Sequence, residues 1–102
     1  MPKQAEIKIE NNVLSVCGDL DFSNVMLVYK KSLEFFSSVQ TVVIIDFAGL
    51  RSTNSVALAM IMNLMRLAKK DHKTIQFKNL SVDVMSLARA SGLNKIIEPV
   101  IV

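Results

Sequence analysis

The sequence predicts an α/β fold, a mixed sheet of four to five strands with helices packed against it. Three observations carry that prediction. Apolar and charged residues alternate at period two in AEIKI near the start, a β-branched run, TVVIIDF, lies mid-chain, and segments of helical periodicity separate the later strand-like stretches. With 102 residues, 51% of them hydrophobic and 21% charged, the chain suffices for one core and not for two. Residues 1–102 are therefore expected to form one domain.

Each element has its own local cause. Residues 5–9 form a half-buried strand, Glu10-Asn11-Asn12 supplies turn chemistry, and VLSVC returns as the second arm of a hairpin. Asp21 or Ser23 is placed to cap a helix over 22–37, whose stripe is Val25, Val28, Tyr29, Leu33 and Phe36. Four consecutive β-branched aliphatics, Val42 to Ile45, predict a central strand covered on both sides. A helix over 55–70 follows the loop AGLRSTN. Thr74 to Phe77 reads as a short strand, Ser81 caps a helix over 82–91, and Gly92 stops it. The tail IIEPVIV adds an edge strand, the one place in a sheet where Pro99 is tolerated. The predicted order is β-β-α-β-α-β-α with a final β.

Several function classes are disfavoured. One His, one Cys and no cluster of metal-ligand spacing leave nothing for a catalytic or metal centre to converge on, so no enzyme activity, metal or cofactor is expected. His72 in KKDHK reads as a solvated loop residue, and Cys17, within VLSVC, as a buried inert thiol. No phosphate-cradling glycine motif occurs. Arg66, Lys69, Lys70 and Lys73 form the densest basic group, and a solvated helix end explains them. With no Trp and one Tyr there is no stacking platform for bases, so nucleic acid is not an expected partner. The longest apolar run, Val56 to Met62, is far short of the roughly 20 residues that cross a bilayer. With no apolar signal segment at the start, a cytoplasmic protein without direct membrane insertion is expected.

The helix over 55–70 has too little polar circumference. Asn63, Arg66, Lys69 and Lys70 occupy only about a third of its wheel, whereas packing on a sheet needs an apolar stripe of little more than 100°. A partner is expected to cover the excess, with Val56, Met60, Asn63 and Leu67 as contact residues. On that reading Met60→Glu loses the partner and keeps the fold. The segment Ser52-Thr53-Asn54-Ser55 caps the helix start, where a phosphate on Ser55 would meet free N–H groups.

These features resemble the STAS domain family, named for sulfate transporters and anti-sigma factor antagonists. Its signature, Asp-Ser/Thr-small-Gly-Leu after a strand ending in Asp-Phe/Leu, is matched by Asn54-Ser55-Val56-Ala57-Leu58 after Asp46-Phe47. GDLDFSN and LARASGLNKII extend the similarity over nearly the whole chain. Within the family the chain is most similar to the small stand-alone subunits of Gram-negative phospholipid-transport ABC complexes. That similarity implies a non-enzymatic accessory subunit that maintains outer-membrane lipid asymmetry through the transporter ATPase, and meets the permease indirectly. It would sit in the cytoplasm, peripheral at the inner membrane. Thr53, Asn54, Ser55, Val56, Ala57, Met60, Asn63 and Leu67 would form the partner-binding site. The alternative is an anti-sigma factor antagonist, which binds a serine kinase and is switched by phosphorylation of Ser55. Asn54 in place of Asp, with Val56 and Ala57 at the small and glycine positions of the signature, favours a static contact over that cycle. A third reading is self-association through the same helix.

Overall fold

The chain enters its sheet through a hairpin that two asparagines make possible. In the computed structural model, which describes residues 4–39, 41–51 and 54–102, Asn11 and Asn12 have φ of 51° and 62°. Paired left-handed residues form a two-residue I′ turn, and asparagine tolerates that conformation better than most residues. Strands β1 (Glu6–Glu10) and β2 (Val13–Cys17) flank the turn and pair antiparallel, with Ile7 opposite Val16 and Ile9 opposite Leu14.

From β2 onward the chain alternates helix and strand: α1 (Val25–Ser38), β3 (Val42–Asp46), α2 (Ser55–Lys70), β4 (Thr74–Lys78), α3 (Val82–Ala90) and α4 (Asn94–Ile97). The sheet runs β1-β2-β3-β4, with β2, β3 and β4 parallel. Each parallel step moves one strand in the same direction, so crossovers of one hand put the helices on one face. Burial follows that geometry: Leu14, Val16, Val43, Ile45 and Phe77 are enclosed, while Ser15, Cys17, Ile44 and Gln76 between them are only partly covered.

This corrects the expectation for the β-branched run. β3 is an inner strand, yet Val42 is 42% exposed because the second face of the sheet carries no helix. Cys17 lies on that open face and is half-buried rather than buried. Two boundaries also shift. α1 begins at Val25 rather than at residue 22, because Asp21 to Asn24 form a turn of their own with Asn24 at the N-cap. The predicted final strand shrinks to a single bridge, Ile101 to Phe77, closed by the Val102 N–H on the Phe77 carbonyl at 2.9 Å. α4 and a 3-10 turn at Glu98–Val100 take up the preceding residues, which the pattern alone did not resolve.

α2 packs between α1 and α3 and buries Val56, Ala57, Leu58, Met60, Ile61, Leu64 and Ala68. Beneath it Phe47 meets Phe77 edge to face, with centroids 5.6 Å apart. The far ends of α1 and α2 are joined by Lys73, whose ammonium donates to the Phe36 carbonyl in the last turns of α1. A cation there adds to the Val39 N–H already on that carbonyl and meets the negative end of the helix dipole. Lys73 thus separates from the basic group to which the sequence assigned it. Lys73→Met is expected to cost about 1 kcal/mol, and Lys69→Met, an exposed neighbour, within about 0.5 kcal/mol. Equal urea midpoints for the two variants would show that the Lys73 contact contributes nothing.

Candidate functional site

Parallel strands end on one rim, and here each of β2, β3 and β4 leads from that rim into a helix, so the N-termini of α1, α2 and α3 gather there. The connecting loops are stitched together by main-chain bonds. Gly18 N–H donates to the Gly49 carbonyl at 2.9 Å, Arg51 N–H to Gly18 at 2.8 Å, and Phe47 N–H to Lys78 at 2.9 Å. Gly49 lies so close to β2 that an added Cβ would stand 2.7 Å from Cys17 Sγ, so only glycine lets the two loops meet.

Two asparagine side chains complete the stitching. Asn54 caps α2 by accepting the Ala57 N–H at 3.1 Å, and its Nδ2 donates to the Leu20 carbonyl, also at 3.1 Å, on the loop leading to α1. Asn24 is buried; its Oδ1 accepts the Asp21 N–H at 3.0 Å, and its Nδ2 donates to the Asp19 carbonyl at 2.9 Å and to Gln4 Oε1 at 3.0 Å. A carboxylate at either position would accept and could not donate. The amide at position 54 is thus what this geometry requires.

Electrostatics along the rim follow from the same short-range bonds. The Ser23 hydroxyl and main-chain N–H beside Asp21 hold its carboxyl below the ordinary range. Asp46, at the end of β3, is likewise lowered, first by the Asn79 amide at 2.9 Å and then by the Ala48 N–H at 2.8 Å. Among the described residues no group of three or more His, Cys, Asp and Glu side chains is placed to hold a metal ion, and no helix is long and apolar enough to cross a membrane.

The structure divides the residues predicted for partner contact. Asn54, Ser55 and Asn63 are exposed and Leu67 is half-buried. Val56 is 7% exposed, Met60 1%, and Ala57 is enclosed, so these three belong to the core rather than to a free face. Thr53 lies outside the described residues. The reason is coverage: α1 and α3 flank α2 and shelter most of the arc that the wheel left open. Met60→Glu would therefore bury a charge and unfold the protein instead of selectively losing a partner.

The apolar excess stands one helix away. Phe22, in the turn before α1, is 87% exposed, Met26 is 61% exposed, and Leu27 beside it is exposed too; Val82, first residue of α3, is 79% exposed. Their sequence signal was Val25-Met26-Leu27-Val28, four apolar residues in a row, which cannot all face the sheet from one helix. Between α1 and α2 opens an apolar cleft of about 270 Å³. Phe22, Val25, Met26 and Tyr29 form one wall, and Val56, Ala59, Met60 and Asn63 the other. Ser55, exposed, directly precedes Val56 of that wall.

A family model described as "Mlab, STAS domain" matches residues 4–100. Among solved structures the chain is similar to the anti-sigma factor antagonist SpoIIAA in its unphosphorylated form, at 18% identity and a TM-score of 0.69, over 97% of this chain and 86% of that one. An anti-sigma factor antagonist from Mycobacterium paratuberculosis is similar at 14% identity and a TM-score of 0.70, over 92% and 81%. At such identities the likeness establishes the fold alone. A search of curated proteins yields no match.

Two measurements check the rim. Asn54→Ser keeps a cap and loses the reach to Leu20, with an expected cost of about 1 kcal/mol, whereas Asn54→Ala loses both bonds and costs about 2 kcal/mol. Full stability of Asn54→Ser in urea would mean the tether to Leu20 has no energetic role. The Asp46 carboxyl, lowered in the folded state from an ordinary 3.8, contributes stability above that value and loses it as pH falls through the folded one. The stability gap between wild type and Asn79→Ala should therefore narrow as pH falls from 6 through that window; a constant gap would separate Asn79 from the carboxylate.

Proposed function

The chain belongs to the STAS domain family, and from that membership we propose that it is an MlaB-like accessory subunit that binds and supports the ATPase of a phospholipid-transporting ABC complex. The family model's own description supports this choice within the family. The observation that carries it is the pair of nearly bare apolar side chains, Phe22 and Met26, beside the exposed Ser55 at the start of α2. Fully burying such side chains in an interface is worth about 1.5–3 kcal/mol each, a strong reason for a protein partner to occupy the rim.

On this reading the chain contributes surface and no chemistry. The ATPase hydrolyses nucleotide, the permease is reached only through it, and the subunit is peripheral at the cytoplasmic side of the inner membrane. Its action is to hold the ATPase in a competent assembly and so to maintain outer-membrane lipid asymmetry. The bonds among the described rim residues would serve that role, because groups already paired lose less freedom on docking.

A second reading has one observation in its favour. Ser55 is exposed at the first position of α2, where a phosphate would gain from the helix dipole, as an anti-sigma factor antagonist switched by a serine kinase requires. Asn54 already occupies the Ala57 N–H, which leaves one fewer donor for such a phosphate. Mass spectrometry of protein from its native cell separates the two readings: substantial phosphate on Ser55 supports the switch, and its absence across growth conditions supports the transporter subunit.

Phe22→Asp together with Met26→Glu should reduce recovery of the transporter ATPase in co-purification by at least about tenfold, with a melting temperature near that of wild type. Undiminished recovery with the double variant would remove the rim from the interface. Met60→Glu serves as the contrast, losing several kcal/mol of fold stability and with it any specific reading of its binding.

A further inference from the structure

The cleft between α1 and α2 is lined by two matched stripes. Phe22, Val25, Met26 and Tyr29 are spaced i, i+3, i+4, i+7 along and just before α1, and Val56, Ala59, Met60 and Asn63 repeat that spacing along α2. Both helices leave the same rim and run side by side, so the stripes form a trough about two turns long. Its floor is closed by Val56 and Met60. Ala59 leaves a gap where a larger residue would fill the trough.

Charge changes along the same line. Beyond Asn63 the next two turns of α2 present Arg66 and then Lys70, both exposed; on α1, Lys30, also exposed, lies four residues beyond Met26 and in the same turn as Tyr29. Arg66 is held toward the trough by donating to Asn63 Oδ1 at 3.2 Å. The acidic residue of that part of α1, Glu34, lies on the opposite flank with Lys31, against Ile7 and Ile9 of β1. Asp71 follows Lys70 only at the C-cap of α2. One end of the trough is thus apolar and the other basic, with no carboxylate between.

We infer that this trough receives an amphipathic helix of the partner protein, whose apolar stripe lies between α1 and α2 and whose continuation past Asn63 carries carboxylates against Arg66 and Lys70. The inference rests on the accessory-subunit reading and adds to it the shape and charge of what docks. A helix fits because only its i, i+3, i+4, i+7 face matches both walls at once. Acidic residues fit because the basic end holds two exposed cations, Arg66 and Lys70, and among the described residues no Asp or Glu lines the trough. Such pairs steer and orient docking more than they tighten it.

The probe is a short synthetic peptide held helical by a side-chain cross-link, with leucines at i, i+3, i+4 and i+7 and glutamates in the following turn. A counterpart carries lysines in place of the glutamates. Titrated into the isotope-labelled full chain, the glutamate peptide should shift the amides of Met26, Tyr29, Ala59, Asn63 and Arg66 and bind about tenfold more tightly than its counterpart at low salt, a preference that about 0.5 M salt collapses. Ala59→Lys should abolish binding, and Arg66→Glu with Lys70→Glu should invert the preference. Shifts on the open face of the sheet, no binding, equal binding of the two peptides, or full binding to Ala59→Lys would each overturn the inference. The parent reading fails separately. ATPase recovery lost in the Phe22/Met26 variant but retained in Ala59→Lys overturns the helix and keeps the accessory subunit, whereas peptide binding with no ATPase recovered by wild type keeps the helix and overturns the accessory subunit.

Discussion

The arrangement of the rim depends on one side-chain amide. Asn54 accepts the Ala57 N–H in the first turn of α2 and donates to the Leu20 carbonyl on the chain that becomes α1, so a single planar group joins the two helix starts. The main-chain bonds from Gly18 to Gly49 and from Arg51 to Gly18 brace the same loops from below, and the Asn79–Asp46 pair ties the β3 and β4 exits. Loops are ordinarily the mobile part of an α/β domain. Here the described loop residues are bonded to one another through main-chain groups and the two asparagine amides.

That display follows from the sheet. Because β2, β3 and β4 are parallel and advance in one direction, every helix starts on one rim and lies on one face. The cost of this topology is an uncovered second face, on which Val42 and Ile44 keep partial exposure and Cys17 is reachable. Its benefit is convergence: three helix starts, the exposed Ser55 and the bare Phe22 and Met26 meet in one small region.

Phe22 and Met26 expose apolar surface that would gain from the exclusion of water, and they are also part of one wall of the trough. On the proposed reading, the matched stripes of that trough and its basic end set the shape and charge of what enters. Ser55, exposed, directly precedes Val56 of the trough wall, and its exposure would serve a contact as well as it would serve a phosphate.

The sequence by itself determined the elements. Period-two and helical periodicity located the hairpin, the parallel strands and the three main helices, because those patterns are local and set by backbone geometry. It also carried the family likeness, since the residues around Asp46-Phe47 and Ser55 lie in one stretch of chain. Which apolar residues stay wet was a tertiary decision. A helical wheel of α2 counts the greasy side chains but not the neighbours, and α1 and α3 cover Val56, Ala57 and Met60 while leaving Phe22 and Met26 bare. The same holds for Lys73, taken from its basic run by a carbonyl 37 residues away in sequence, and for Asn54, whose amide has a reason only once Leu20 is beside it. Burial is a property of pairs of elements, and no single segment contains both members of the pair.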